Sequence, residues 1–394
     1  MNSELRIIYL WVFVASCLIL ASYVSYYGVA IGLDSVGYSN WADQLIAYHF
    51  NIKRFLEEVH FHVPIYLYLG FITLVAVLKL LFGAGWTYAL VALNCLCIAL
   101  VAIMLSYLVY RLTRDKHSVG VAVFLFLGNL DILLWTKYVL SDSSYLCLNF
   151  LCYFLIVLLS FKHSFKILFL SLLLLFCVLV ANILYRPTGL AMIAIVLGGL
   201  ILNNRRVSSH RLFWKIFLIT LFGIVILAII IHTFVLTNYS SWPFDFGKEY
   251  WNNLVLKDYL KGVVVYDRPY TFHQSPQTYV DFMFITLDKI FHFFFFITKD
   301  YSFIHNTINA LIFGPTYFLF GAGIFMIVMK KQVDNSTQRF AVSLALLVIT
   351  IFTIYHSLTQ IDFDWRYRIS ILPYIIVVSS FGVLYLKNTF FKFK

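Results

Sequence analysis

The residues best suited to chemistry lie in four short polar motifs, each at the end of a long apolar run. Asp34 follows the first run, and Asp142 lies in a Leu-Ser-Asp-Ser-Ser motif between two later runs. Arg186 belongs to a Tyr-Arg-Pro-Thr-Gly motif, and the last motif, 356–373, contains two arginines. Carboxylates can accept a proton from a hydroxyl, and guanidinium groups bind anions. The four motifs therefore predict a proton-transfer and anion-binding site.

Each motif also has a structural interpretation that the sequence leaves open. Asp34 can be a loop or helix-capping aspartate, and Asp142 can lie in the turn of a helical hairpin as the N-cap of the helix that follows. Arg186 can be an interfacial anchor ahead of a proline that starts a helix. Arg366 and Arg368 can simply balance neighbouring aspartates.

Composition indicates a membrane protein with several spans. The chain has 394 residues, of which 62% are hydrophobic and only 12% charged, and its mean hydropathy is +0.88. So few charges cannot cover a water-soluble surface. The net charge of +11 comes from short clusters between apolar runs, which is typical of orientation signals and argues against nucleic-acid binding. All six cysteines lie in apolar runs without a CxxC pair, so neither a zinc site nor a disulfide framework is indicated.

We expect an all-α, single-domain protein over residues 1–394, with both termini in the cytoplasm. The alternation of basic clusters between apolar runs supports this orientation. About ten spans are predicted, at 7–29, 86–110, 118–140, 143–161, 165–184, 189–203, 213–236, 303–329, 340–358 and 370–387.

Interfacial helices are predicted in the first and fourth outer loops. The first loop, 30–85, contains an amphipathic pattern with Trp41, Leu45 and Phe55 on its apolar face. The run 64–82 would reverse the alternation if it spanned, so we predict an interfacial or re-entrant helix in which Lys79 extends toward the lipid headgroups. In the large loop, 237–302, a second interfacial helix is predicted, and four aromatic residues are expected to cover a substrate: Trp242, Trp251, Tyr266 and Tyr270.

A metal site is an alternative use of the first outer loop. His60 and His62 lie near Glu57 and Glu58 and could ligate a cation, although such residues on an amphipathic surface are usually only solvated. No nucleotide-binding glycine motif is present.

Taken together, these motifs resemble the GT-C glycosyltransferases, nearest to bacterial relatives of protein mannosyltransferases and aminoarabinose transferases. The resemblance includes Tyr38 and Ala42 after Asp34, Pro-Ile-Tyr at 64–66, and Trp-Arg-Tyr-Arg-Ile-Ser-Ile-Leu-Pro at 365–373. It implies an enzyme of the plasma (inner) membrane with its active site on the extracytoplasmic, or periplasmic, face. Such an enzyme moves a sugar from a polyprenyl-phosphate donor to a cell-envelope glycan or glycolipid, such as lipopolysaccharide O-antigen, with inversion.

The resemblance assigns the role of catalytic, acceptor-activating group to Asp34. It implies no certain cofactor but allows a divalent cation, for which no ligand is named. Substrate-binding roles are expected for the polar and aromatic residues of the four motifs, which are Tyr38, Asp142, Arg186, His356, Asp364, Arg366 and Arg368.

Two other functions are compatible with many spans and outward arginines. An O-antigen polymerase or ligase would be expected to keep its key basic residues in one large late loop. A lipid-linked-sugar flippase would be expected to show internal repeats and charges at mid-membrane, for which Asp131 and Lys137 are the candidates.

Overall fold

The computed structural model describes residues 3–59, 65–161, 165–204, 279–298, 301–328, 336–359 and 365–390. Within these stretches every regular element is helical, and one isolated bridge joins Ala30 to Tyr138. The α-helices are α1 Ser3–Tyr27, α2 Leu33–Ala47, α3 Ile52–Glu58, α4 Leu69–Phe82, α5 Trp86–Thr113, α6 Lys116–Leu127, α7 Leu130–Thr136, α8 Asp142–Leu159, α9 Phe165–Tyr185, α10 Ala191–Asn204, α11 Tyr279–Phe294, α12 Phe303–Val328, α13 Ser336–Thr359 and α14 Leu372–Phe390. Short 3-10 segments lie at Ile65–Tyr68, Gly83–Gly85, Pro187–Leu190 and Trp365–Ile371.

The described part of the chain is all-helical, and its apolar helices are those of a multi-pass membrane protein. Seven of the described helical stretches are long and apolar enough to cross a membrane, or eight if the bent pair α6 and α7 forms one span. The predicted span 189–203 corresponds to α10, which has 14 residues and falls short of the ~20 that a span needs. The predicted span 213–236 lies outside the described residues.

The predicted span 118–140 is not one helix. It bends by 53° between α6 and α7. The Asn129 side chain accepts a hydrogen bond of 2.9 Å from the backbone N–H of Asp131, which starts a new helix after Gly128. Asp131 therefore lies in the first turn of a short helix.

The amphipathic pattern of the first outer loop forms two helices where one was expected. Between α2 and α3, His49 and Phe50 adopt left-handed backbone angles, with φ of 51° and 58°. Asn51 then caps α3 by accepting from the backbone N–H of Arg54 at 3.1 Å. The chain thus turns sharply and presents α2 and α3 as separate elements.

The apolar face of α2 packs on protein. Tyr38 makes an edge-to-face contact with Phe71 of α4 at 4.8 Å between ring centroids, and Leu45 is fully buried. The ammonium of Lys79 donates to the Ser39 hydroxyl at 2.7 Å and to Asp43 at 2.7 Å, which ties α4 to α2; that Lys79 extends toward the lipid headgroups stays a prediction. Helix α4 therefore docks α2 onto the bundle.

One end of the bundle is closed by two ion pairs, which we call the Lys387 cluster: Glu4, Asp115, Lys116 and Lys387. Lys116 contacts Glu4 at 2.9 Å, and Lys387 contacts Asp115 at 2.6 Å. These contacts join the start of α1, the start of α6 and the end of α14. The sequence places all three helix ends on one side of the membrane, and the structure brings them together; that this side faces the cytoplasm stays a prediction.

Helices α12 and α14 approach each other very closely, which fixes the chain that precedes α14. A Cβ atom at Gly323 would clash with the carbonyl oxygen of Val378, and one at Gly382 would clash with that of Leu319. Only glycine permits this backbone contact. The rigid pair holds the 3-10 segment Trp365–Ile371 at the end of the bundle opposite the Lys387 cluster.

Candidate functional site

Asp34 is positioned by a clamp between two distant segments. Ala30 donates to the carbonyl of Lys137 at 3.0 Å, and Val139 donates to the carbonyl of Ala30 at 2.9 Å. Beyond Ala30, the Gly32 N–H donates to the Ser35 hydroxyl at 2.9 Å and starts α2. The clamp therefore brings the first turn of α2, with Asp34, next to the chain that leads into α8.

Asp142 begins α8 beside this clamp. The Asn94 side-chain amide, from α5, donates to the carbonyls of Tyr138 and Leu140 and supports the turn. The interpretation of Asp142 as the N-cap is wrong, since Ser141 occupies that position without a side-chain cap bond. The Asp142 carboxylate instead hydrogen-bonds Arg186.

Arg186 is held at the junction of α9 and the 3-10 segment that follows it. Pro187 starts that segment, as the sequence predicts. A Cβ atom at Gly189 would clash with the Asn182 carbonyl, so glycine is needed where the turn packs back on α9. The Tyr-Arg-Pro-Thr-Gly motif therefore folds as a tight turn that buries its arginine.

Arg366 links the two carboxylates. Its guanidinium binds the Asp34 carboxylate at 2.7 Å and lies 3.9 Å from the Asp142 carboxylate, which also binds Arg186. These four residues, the Asp34 cluster, form a continuous chain of alternating charges from four separate segments. In this cluster Asp34 is 47% exposed, whereas Arg366 is 14%, Arg186 10% and Asp142 6% exposed. The carboxylate of Asp34 is thus the accessible end.

Aromatic rings surround the arginines of the cluster. Tyr367 accepts from Arg366 at 3.1 Å, and its ring lies 5.7 Å from the Arg186 guanidinium. Trp135 of α7 lies 5.7 Å from the Arg366 guanidinium. Such rings stabilise a cation while excluding water. The cluster therefore sits in a partly dry environment, where charges interact more strongly.

His356 and Tyr38 border this cluster. His356 is 4% exposed and stacks on Tyr367 at 4.6 Å between ring centroids. The described residues offer neither of its ring nitrogens a hydrogen-bond partner. Tyr38 is 6% exposed, and burial, with a smaller contribution from Asp34, raises the pKa of its hydroxyl. Tyr38 therefore remains a neutral phenol at physiological pH.

Arg368 is separated from the Asp34 cluster. It is fully buried, pairs with Asp131, which is also fully buried, and donates to the carbonyl of Phe295. Its guanidinium lies 4.2 Å from the centroid of the Phe313 ring. The interpretation of paired ions that balance each other describes these contacts of Arg368.

Several predicted site residues lie outside the described residues: His60, His62, Asp364, Trp242, Trp251, Tyr266 and Tyr270. Glu57 and Glu58 are described and pair with Lys53 and Arg54 on α3. Among the described stretches no group of three or more His, Cys, Asp or Glu residues could hold a metal ion.

Sequence analysis did not select Tyr367 or Trp135 as site residues. Tyr367 carried a signal, because it separates the two arginines of the final motif. Trp135 carried none of its own, because residues at the bend before α7 do not show that the bend brings Trp135 to the site.

Comparison with known proteins found no relative of this chain. No protein-family model, curated protein or solved structure matches the chain.

Proposed function

We propose that this protein is a GT-C-like membrane glycosyltransferase with about ten spans. It takes a sugar from a polyprenyl-phosphate donor and transfers it, with inversion, to an extracytoplasmic acceptor such as O-antigen or another cell-envelope glycan. Its partners are the lipid-linked donor, the glycan or glycolipid acceptor and the surrounding lipid of the inner membrane.

One observation carries the proposal. The accessible carboxylate of Asp34 is joined through Arg366 to the buried ion pair of Asp142 and Arg186. Transfer from a sugar phosphate needs a base for the acceptor hydroxyl and cations for the leaving phosphate. The Asp34 cluster contains both within a few ångströms.

In the proposed reaction, Asp34 accepts the proton of the acceptor hydroxyl. The hydroxyl oxygen forms a bond to the anomeric carbon as the bond from that carbon to the phosphate oxygen breaks. The phosphodiester becomes a monoester and gains one negative charge. Arg366 and Arg186 stabilise this charge, which is larger in the transition state than in the bound donor.

Arg366 has a second role in this proposal. Before the donor binds, its guanidinium contacts the Asp34 carboxylate at 2.7 Å. When the donor phosphate binds the guanidinium in its place, the Asp34 carboxylate is released from this contact and can accept a hydrogen bond from the acceptor hydroxyl. Donor binding and activation of the acceptor are thereby linked.

The remaining residues provide the walls of the site. Arg186 and Arg366 each face the Tyr367 ring, which keeps water from the phosphate. The ring nitrogens of His356 and the neutral hydroxyl of Tyr38 are suited to hydrogen bonds with sugar hydroxyls.

A flippase is less well supported by these contacts. Such a protein requires charges along a path through the membrane. Asp131, a candidate for that role, is fully buried and paired with Arg368.

The proposal is tested with membranes containing the protein, an acceptor glycan and a panel of polyprenyl-phosphate sugars. We expect wild type to transfer at least one sugar, and Asp34→Asn to transfer it ~10²–10⁴-fold more slowly, the range for a lost general base. Asp43→Asn is the matched control, because Asp43 lies on the same helix, is 61% exposed and also pairs with a cation. Equal rates for Asp34→Asn and wild type at equal expression would remove Asp34 from the reaction.

A further inference from the structure

Arg366 and Arg368 are two positions apart on one 3-10 segment, yet their side chains enter different surroundings. A 3-10 helix turns by ~120° per residue, so residues at i and i+2 point to different faces. Arg366 reaches the accessible carboxylate of Asp34, whereas Arg368 is fully buried against Asp131. The direction in which the Arg366 side chain points therefore depends on the buried position of the Arg368 side chain.

Helix α7 touches both arginines with one face. Asp131 binds Arg368, and Trp135, four residues later, lies 5.7 Å from the Arg366 guanidinium. Residues at i and i+4 share a face of an α-helix. A single short helix thus holds one arginine by an ion pair and the other by a ring.

The pair also joins parts of the chain that would otherwise be independent. Arg368 donates to the carbonyl of Phe295, which follows α11, and its guanidinium lies over Phe313 of α12. Asp131 is fixed in turn by the Asn129 cap at the bend after α6. Any shift of the 3-10 segment would have to break these contacts together.

A buried ion pair is not needed for stability alone. Well-packed apolar residues of similar volume often replace such pairs without loss of stability, because the desolvation cost offsets the attraction. An ion pair does, however, fix direction, since the planar guanidinium fork accepts only a narrow range of geometries. A fixed direction at Arg368 in turn fixes the backbone from which the nearby Arg366 side chain extends.

We propose that Asp131 and Arg368 are positioning residues, which set the guanidinium of Arg366 against Asp34 and the donor phosphate without touching either. This inference rests on the proposed function of the Asp34 cluster. It changes the expected role of Arg368 from phosphate ligand to support, and it explains why the span 118–140 is bent.

The test is a double-mutant cycle on sugar transfer. The paired substitution Asp131→Leu with Arg368→Met removes the ion pair and leaves no buried charge. In the wild-type background kcat/KM for the donor is expected to fall at least about tenfold, as a misplacement of ~1 Å can cause. In an Arg366→Ala background the same substitutions are expected to change kcat/KM by less than about twofold, because their target is gone.

The matched control is the pair Asp115→Leu with Lys387→Met, which removes the contact of 2.6 Å near the other end of α14. It is expected to leave kcat/KM within about twofold in both backgrounds. Thermal unfolding in detergent is measured for every variant, and Arg368→Lys, which keeps the charge but not the fork, replaces any double variant that does not fold.

Each outcome separates the two claims. An equal loss of activity in both backgrounds, or no loss in the wild-type background, would overturn the positioning role. If Arg366→Ala itself transfers sugar at the parent rate, the proposed function fails instead.

Discussion

The two ends of the helix bundle contain ion pairs of the same kinds of side chain in different surroundings. In the Lys387 cluster, Lys116, Glu4 and Lys387 are 57%, 64% and 42% exposed, and Asp115 alone of the four is buried, at 9%. In the Asp34 cluster, three of the four charged groups are at most 14% exposed. Exposed pairs contribute little to stability and cost little. Buried ion pairs cost desolvation energy, so stability alone gives little reason to keep them, and a role in binding or orientation can.

The arrangement of charges differs as well. The contacts of the Lys387 cluster join helix ends in separate pairs. The Asp34 cluster is a continuous chain of four charges, with Tyr367 against both of its arginines. A chain of this kind can pass a change at one member on to the next. This contrast supports the proposal that one end anchors the bundle and the other end binds the donor.

The largest difference is expected for sugar transfer after loss of one cation from each end. Arg366→Ala should lower the rate ~10²–10³-fold, the range for removing one group that stabilises a developing anion. Lys387→Ala should leave the rate within about twofold, because it contacts no reacting group. The measurement is the initial rate of sugar incorporation at equal expression, and equal losses in both variants would erase the proposed contrast.

The two ends should also differ in how much stability the protein loses when one partner of an ion pair is replaced. Arg186→Met leaves the Asp142 carboxylate, which is 6% exposed, without its main cation, and removal of one partner of a buried pair costs ~3–5 kcal/mol. Lys116→Met breaks an exposed pair and should cost at most ~1 kcal/mol. Thermal unfolding in detergent compares the two variants, and a larger loss for Lys116→Met would contradict the burial argument.

Low pH should also reduce the stability that the Lys387 cluster contributes, by less than the loss expected for Arg186→Met. Burial alone would raise the pKa of Asp115, but hydrogen bonds from Lys387 and Ser118 lower it from 3.8 to about 2. A lowered pKa contributes stability that is present above pH 3.8 and is lost as the pH falls through about 2.

The shift in the pKa of Asp115 corresponds to at most ~2 kcal/mol at neutral pH. Lys387→Met should reduce this acid-dependent loss, as seen by comparing unfolding at about pH 5 and about pH 2. An unchanged pH dependence in that variant would show that Lys387 does not hold the carboxylate.

The sequence alone was sufficient to find the members of the Asp34 cluster. Asp34, Asp142, Arg186 and Arg366 each follow or precede an apolar run, and helix ends that alternate across a membrane must gather on two sides. The all-helical, multi-pass class also follows from composition. What the sequence could not provide is which partner each charge takes.

Local patterns do not reveal tertiary partners. The pattern around Lys79 did not indicate that α2 supplies Ser39 and Asp43 as its hydrogen-bond partners. The turn at His49 and Phe50 has left-handed backbone angles but contains no glycine that would have indicated it in the sequence. The spacing of Arg366 and Arg368 did not reveal that they lie on a 3-10 segment and pair with different carboxylates. By contrast, Gly128 and Asn129 were a readable signal for the bend before α7.

The proposed function requires the Asp34 cluster to face away from the side of the basic loops, where the Lys387 cluster lies. The most direct measurement labels single cysteines in right-side-out membrane vesicles with a membrane-impermeant maleimide, against the parent protein as background. Gln44→Cys reports the exposed side of α2, and His117→Cys reports the other end, where that side chain is 77% exposed. We expect labelling at Gln44→Cys in sealed vesicles, and labelling at His117→Cys only after the vesicles are opened. Labelling at His117→Cys in sealed vesicles, with Gln44→Cys protected, would contradict it.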